Sequence, residues 1–234
     1  GMITGKNGIK MRKSKGNVIS PDDLVRDYGC DSLRMYELFV GPPELDAEWD
    51  DRGIEGVYRF LSRFWNLVMD NKDKNIKASK EMIKARHKMI HMITTRLEGF
   101  SLNTVISGFM ECNNNLIAIA KKEGGMDKET LEAAVLLLAP FAPHMGEELW
   151  EELGHTDSVF HHEWPAHDEE AMKDDEVEIP VQVNGKTKAV ISIPVDISKE
   201  DAIAKAKEVL GDKLSGNIIK EIYVPKKIVN IVAK

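Results

Sequence analysis

The chain has 234 residues, of which 42% are hydrophobic and 30% charged, with 17 glycines and 9 prolines. This composition is typical of a globular protein of one or two domains and excludes a disordered or fibrous chain. No apolar run reaches the roughly 20 residues that a membrane-spanning helix needs, and the first residues lack the apolar stretch of a secretory signal. Because Cys30 and Cys112 stand far apart, no disulfide framework is expected, and we predict a cytoplasmic protein without a membrane partner.

The net charge of −7 is unevenly distributed along the chain. Residues 1–20 contain five cations and no acid, and residues 177–234 contain ten lysines against seven acids. The residues between these two stretches are therefore strongly acidic. Basic ends around an acidic middle allow polyphosphate contacts at both ends of a chain that is acidic as a whole.

Residues 1–20 are rich in Gly, Lys and Ser and are predicted to form a loop. A helix is predicted to begin at Ser20-Pro21-Asp22-Asp23, since Ser can cap a helix and Pro fits its first position. Apolar residues that follow indicate short helices with one buried side, which end at Gly41-Pro42-Pro43.

Five longer helices are predicted between residues 51 and 153. In the first of them, Ile54, Val57, Leu61 and Phe64 recur at three- and four-residue steps and form one apolar stripe. The other four are predicted over about 79–97, 103–122, 127–139 and 143–153. Apolar stripes on successive helices with short links predict an antiparallel bundle.

After residue 176 the apolar residues no longer recur at helical steps but at every second position. Residues 177–183 and 186–193 alternate as strands do, and they flank Asn184-Gly185, a strong hairpin signal. A helix is predicted from Ser198 to about Leu210, followed by strands over 219–224 and 228–232. These elements predict a small ββαββ domain of the α+β class.

The predicted fold is therefore multidomain, with an α part and an α+β part. Residues 1–45 hold the basic loop and the short helices, and residues 46–155 hold the bundle. Residues 156–176 lack a period and are rich in His, Asp and Glu, which predicts a linker with some mobility. Residues 177–234 form the final domain.

The most informative segment is the loop at residues 10–17, which places four cations within six residues. Such a loop can close over a polyphosphate, because ammonium groups oppose the charge that develops during attack at phosphorus. A glycine, here Gly16, allows close approach of the backbone. From the residues alone, a solvated basic loop is the more common interpretation of such a cluster of cations.

Lys10, Met11, Lys13 and Ser14 resemble the KMSKS signature loop of class I aminoacyl-tRNA synthetases, with Arg12 at a position where the family usually has Ser. The resemblance implies that these four residues form a loop that binds ATP together with Mg²⁺. Carried over by position, Lys13 contacts ATP and stabilises the adenylation transition state, and Lys10 supports it. Lys10 and Lys13 are thus the candidate catalytic residues.

Further stretches are similar to the leucine, isoleucine, valine and methionine enzymes of this class. Asp31-Ser32-Leu33-Arg34 resembles the helix that follows the signature loop in these enzymes, and residues 138–150 resemble their anticodon-binding bundle of the class Ia type. Two further stretches narrow the resemblance to the C-terminal part of the bacterial-type leucyl-tRNA synthetases. One runs from Gly41 through Trp49 to Gly56, and the other comprises residues 181–196 with 222–225.

The resemblance implies a monomeric ligase that activates leucine with ATP and attaches it to leucine tRNA. Such an enzyme also needs a nucleotide-binding core, a leucine pocket and an editing domain. We therefore expect these 234 residues to be inactive alone and to hold no bound cofactor, while the bundle and the final domain keep part of the tRNA surface. In the final domain, Lys186, Lys188, Lys226 and Lys227 are the candidate phosphate contacts.

Two alternatives stay open at this point. The chain could be a stand-alone RNA-binding or interaction module, although such a module has no need of an adenylation loop. It could also derive from an isoleucyl-, valyl- or methionyl-tRNA synthetase, which the ββαββ ending disfavours.

Several histidines are candidate metal ligands. His87 and His91 stand four residues apart on a predicted helix, a spacing at which two histidines can bind the same metal ion. No Glu follows His87, however, as it does in the HExxH motif. Four further histidines in or directly before the predicted linker, His155, His161, His162 and His167, have no regular ligand spacing. No metal site is predicted.

Overall fold

The computed structural model describes residues 1–5, 8–173, 176–211, 214 and 216–234. The chain combines helices with a sheet and divides into two compact units, Gly1–Met172 and Lys173–Lys234, called here the first and the second unit. Lys6, one of the cations counted above, lies outside the described residues, as do Asp174 and Asp175 of the predicted linker.

The first unit begins with two short strands and two short helices. Strand β1 (Ile3–Thr4) pairs in parallel with β2 (Ala47–Glu48). Between them lie α1 (Pro21–Tyr28), which has Pro at its start as predicted, and α2 (Cys30–Phe39). Gly29 separates the two helices with a φ of 85°, a value that side-chain-bearing residues rarely adopt.

Five longer helices follow, close to the predicted positions. They are α3 (Asp51–Met69), α4 (Lys80–Glu98), α5 (Leu102–Glu123), α6 (Lys128–Leu138) and α7 (Pro143–Glu152). Side chains of Asp50, Ser79 and Asp127 cap α3, α4 and α6 by accepting a backbone N–H from the first turn. Gly124 ends α5 in the left-handed conformation.

One apolar core joins all of these longer helices. The predicted stripe of α3 is buried, with Ile54 and Val57 fully excluded from solvent. Helix α2 belongs to the same core, since the Tyr36 hydroxyl donates to Asp50 O at 2.7 Å and its ring lies edge-on to Trp49 at 4.8 Å. Residues 1–45 therefore pack within the first unit and do not form a unit of their own.

The segment predicted as a linker differs from that expectation over most of its length. The division between units falls after Met172, and residues 155–168 pack against the helices of the first unit. Val159 is buried, its N–H donates to Glu147 Oε2 at 3.1 Å, and the His155 ring stacks on Trp150 at 3.7 Å. Histidine and aromatic rings make these contacts without any helical or strand period, so the sequence pattern gives no sign of them.

The second unit contains β3 (Glu176–Val183), β4 (Lys186–Pro194), α8 (Lys199–Leu210), β5 (Ile218–Val224) and β6 (Ile228–Ala233). The strand order is β4-β3-β6-β5, in which β3 and β6 are parallel and the two outer pairs are antiparallel. Residues of α8 cover one face of the sheet and form a second core with Ile179, Val181, Val229 and Ile231.

Candidate functional site

The basic loop has a defined backbone. Residues Lys13–Lys15 form a single 3-10 turn, in which Lys15 N donates to Arg12 O at 2.9 Å. Gly16 N donates to Lys13 O at 3.1 Å, and Gly16 adopts the left-handed region with a φ of 63°. Glycine is the residue that takes this conformation without strain, so Gly16 allows the chain to reverse directly after the turn.

The side chain of Asn17 closes the loop. Its Oδ1 accepts the Arg12 N–H at 2.8 Å, and its Nδ2 donates to Lys10 O at 3.3 Å. One amide group therefore holds the residues on both sides of Met11. Sequence reasoning did not assign this role to Asn17, because a hydrogen bond across five to seven residues leaves no periodic signal.

The loop presents its cations to solvent. Lys10, Lys13 and Ser14 are exposed, as are Arg12 and Lys15, and no ion pair of the four cations occurs among the described residues. Met11 is half-buried and packs against the core of the first unit. Of the four residues predicted to bind ATP, Lys13 and Ser14 thus lie on the 3-10 turn, and Lys10 and Met11 directly precede it, with Met11 anchored on the core.

The loop is tied to the rest of the first unit at its base. Trp49 N donates to Thr4 O at 2.9 Å, and Ala47 N donates to Met2 O at 3.1 Å, which adds to the pairing of β1 with β2. Gly5, at the start of the loop, is buried and its N–H donates to Ile9 O at 2.9 Å. The position of the loop is therefore coupled to the segment between α2 and α3.

We expect the replacement of Asn17 by Ala to loosen the loop without unfolding the unit. The Arg12 amide hydrogen should exchange with solvent about five- to tenfold faster, which corresponds to the roughly 1 kcal/mol that one hydrogen bond contributes. The measurement is hydrogen exchange by NMR. Asn17→Asp is the matched control, because it keeps the oxygen that accepts from Arg12. An Arg12 exchange rate unchanged in Asn17→Ala would contradict the role of this amide.

Two stretches that were singled out separately in the sequence meet in the structure. Asp31, at the start of α2, is 8% exposed, and its Oδ2 accepts the N–H of Met145 at 2.8 Å. Its Oδ1 lies 2.8 Å from His144 Nδ1. Asp31 therefore acts as a remote cap for the first turn of α7, where a negative charge is favourable. This junction links the helices after the basic loop to the end of the helical region.

The four candidate lysines of the second unit are exposed but fall into two pairs. Lys186 and Lys188 begin β4, where Lys186 pairs with Val183. Lys226 and Lys227 form the turn between β5 and β6. Since β3 and β6 run parallel with Val183 beside Ile231, the pairs lie roughly 15 Å apart along the strands. The four lysines thus form two separate basic clusters on the second unit.

The described residues contain no group of three or more His, Cys, Asp or Glu side chains that could hold a metal ion. Within the same residues, no helix is long and apolar enough to cross a membrane. Burial raises the pKa of the Cys112 thiol to about 12, so this side chain stays protonated near neutral pH and is a poor nucleophile.

Comparison with known families agrees with these features. Residues 1–50, which include the basic loop, match the model for class I tRNA synthetases of the isoleucine, leucine, methionine and valine group. Residues 79–203 match the model for the anticodon-binding domain of tRNA ligases.

The curated relatives that match the chain include leucine–tRNA ligases. The chain is 46% identical to the leucine–tRNA ligase of Fervidobacterium nodosum, covering 100% of the chain and 30% of the relative. It is 44% identical to that of Thermotoga maritima, covering 99% of the chain and 31% of the relative. The chain thus spans about a third of the length of these relatives.

A solved structure gives the same result. The crystal structure of the ternary complex of Agrobacterium radiobacter K84 agnB2 LeuRS, tRNA and LeuAMS matches 100% of this chain with a TM-score of 0.74 and 29% identity, over 32% of its own length. The resemblance drawn from the signature residues is therefore confirmed. The chain belongs to the family of tRNA ligases with this anticodon-binding domain, and over its whole length it is similar to leucine–tRNA ligases.

Proposed function

We propose that this chain is the C-terminal part of a ligase that activates leucine with ATP and transfers it to leucine tRNA. The observation that carries the proposal is the whole-length similarity to leucine–tRNA ligases, together with an exposed four-cation loop at the position of the class I signature. In the first step the leucine carboxylate attacks the α-phosphorus of ATP, and pyrophosphate leaves. Negative charge grows on the phosphate oxygens during this step, so cations held close to them lower the barrier.

The residues of the loop have distinct proposed roles. Lys13, on the 3-10 turn, is the residue that contacts ATP, which is bound with Mg²⁺, and Lys10 supports it. Met11 anchors the loop on the core, and Ser14 is a further polar contact. Because the loop supplies cations but no leucine pocket, the 234 residues alone should give no leucine-dependent exchange of pyrophosphate into ATP. Measurable exchange would overturn this expectation.

We further propose that α3–α7 form the antiparallel bundle of the class Ia anticodon-binding type, and that the second unit is the ββαββ domain that follows it in these ligases. The bundle and the second unit would bind leucine tRNA as parts of a monomeric cytoplasmic enzyme. The family model over residues 79–203 and the likeness to a LeuRS–tRNA complex support the tRNA as partner.

The lysine pairs make the tRNA proposal testable. We expect the chain to bind a leucine tRNA transcript with an affinity that falls as salt rises, because phosphate contacts release counterions. Replacing Lys226 and Lys227 by Ala should reduce the magnitude of the negative slope of log K against log salt by about 1.4 to 1.8, since each phosphate contact contributes about 0.7 to 0.9. The same reduction is expected for Lys186 with Lys188.

A matched control has the same change in charge at other places of the second unit. Lys199 begins α8 and Lys234 follows β6, and replacing both by Ala should leave the slope nearly unchanged. Binding can be measured by fluorescence anisotropy at four or more salt concentrations. Equal slopes for all three double variants would contradict the assignment of the lysine pairs, and absence of binding would contradict a tRNA surface on this chain.

A further inference from the structure

Residues 164–168 lie on α4 although they form neither helix nor strand. Three contacts attach them. Trp164 Nε1 donates to Thr94 Oγ1 at 2.8 Å, the ring nitrogens of His167 and His91 lie 3.2 Å apart, and Asp168 N donates to His87 Nδ1 at 3.0 Å. We call residues 164–168 the strap.

The three positions on α4 share one face of the helix. His87, His91 and Thr94 follow each other at steps of four and three residues, which place side chains one above the other along a helix. The strap thus lies along the helix axis and meets it once per turn. The residues after the strap lead into the second unit, which begins at Lys173.

Two of the three contacts depend on uncharged imidazoles. His87 Nδ1 accepts a hydrogen bond from the Asp168 N–H. Protonation of Nδ1 would place two N–H donors opposite each other and break this hydrogen bond. Between His91 Nδ1 and His167 Nε2, one ring must donate and the other accept. A single proton added to this pair can be accommodated, whereas protonation of both rings leaves two facing donors and two like charges.

The surroundings of His87 disfavour its protonation. Burial is the main cause that lowers the pKa of His87, and the charges of Arg86 and His167 lower it further, while Asp168 and Glu129 act in the opposite direction. Arg86 itself is held by Asp127 and Glu129, which weakens its effect on the ring. The strap is therefore more compatible with neutral than with charged His87.

We propose that the strap is a pH-sensitive attachment, docked on α4 while His87 is neutral and the His91–His167 pair carries at most one proton, and released when more protons bind. The released strap binds protons more tightly than the docked one. Docking is accordingly complete above the ordinary histidine pKa of about 6.5 and is lost as the pH falls below it. The inference rests on the first unit alone and not on the proposed function.

NMR of the chain between pH 8 and pH 5, with EDTA present to exclude bound metal ions, tests this inference. The Trp164 indole N–H and the Asp168 amide should change together, and the ratio of released to docked strap should rise up to about tenfold per pH unit below 6.5 for each proton that the docked contacts cannot accommodate. Signals of α5 and α6 should stay folded. An Asp168 amide that is insensitive to pH would overturn the proposal.

Variants distinguish histidine-dependent release of the strap from a general effect of low pH on the fold. His87→Gln keeps a side-chain acceptor that does not titrate, so its transition should be shallower and its midpoint lower. His91→Gln with His167→Gln should have a similar effect, and replacing all three should abolish the transition. Exposed His161, which lies outside the strap, is the matched control, and His161→Gln should leave the transition unchanged. A transition that persists in the triple variant, or one seen when EDTA is omitted but not in its presence, would overturn the proposal.

Discussion

Replacing Asp31 with Ala is expected to lower the free energy of unfolding of the first unit by about 2 to 4 kcal/mol. Asp31 is 8% exposed and accepts the N–H of Met145, which has no helical partner in the first turn of α7. Truncation leaves this buried donor unpaired, at a cost of about 1 to 3 kcal/mol, and removes a negative charge from a helix N-terminus, which contributes about 1 kcal/mol. The exposed His144 partner adds little, because solvent screens it.

Two controls resolve this effect into its parts. Asp31→Asn keeps an oxygen that can accept from Met145 but loses the charge, so about half of the loss or less should remain. His144→Ala removes the exposed partner and should cost less than about 1 kcal/mol. All four tryptophans, Trp49, Trp65, Trp150 and Trp164, lie in the first unit, so urea unfolding followed by tryptophan fluorescence reports on this unit alone. A loss of less than about 0.5 kcal/mol in Asp31→Ala would contradict the capping role.

The second large effect concerns the contact between α6 and α7. A Cβ added at Gly146 would lie 2.8 Å from both Cα and Cβ of Ala139, which is buried at the end of α6. Neither atom belongs to a flexible side chain, so the helices themselves must move. We expect Gly146→Ala to destabilise the first unit by about 1 to 3 kcal/mol, as overpacking of a core does.

The opposite sign is expected at a second helical glycine. A Cβ at Gly56, in the interior of α3, meets no atom within 4 Å. Gly56→Ala should therefore stabilise the unit by about 0.5 to 1 kcal/mol, the usual gain when Ala replaces Gly within a helix. The same urea unfolding measures both variants. If the two substitutions shift stability in the same direction, the close approach at Gly146 does not control the packing of α7.

Local patterns predicted the elements well. The apolar stripe of α3, the start of α1 at Pro21 and the Asn184-Gly185 turn each depend on residues within a few positions of one another, and each lies at its predicted place. The loop at residues 10–17 was identified in the same way, because its cations are adjacent in sequence.

Contacts between distant residues could not be predicted in this way. Asp31 and Met145 are 114 residues apart, and nothing in either stretch indicates that a carboxylate caps a helix so far along the chain. The strap was missed for a similar reason, since its rings contact α4 without any period of their own. The four lysines of the second unit were grouped by charge, but the strand order that separates them into pairs follows from the parallel pairing of β3 with β6.

The turn between β3 and β4 also bears on the chemical ageing of the protein. An Asn followed by Gly is prone to deamidation, in which the Gly nitrogen attacks the side-chain amide. Here the Asn184 amide donates to Ala233 O at 2.9 Å and accepts from Ala233 N at 3.0 Å, while the Gly185 N–H is held by Asn230 Oδ1 at 3.2 Å. Both reacting groups are thus hydrogen-bonded in the folded sheet, and we expect deamidation at Asn184 to require that these contacts with β6 first open.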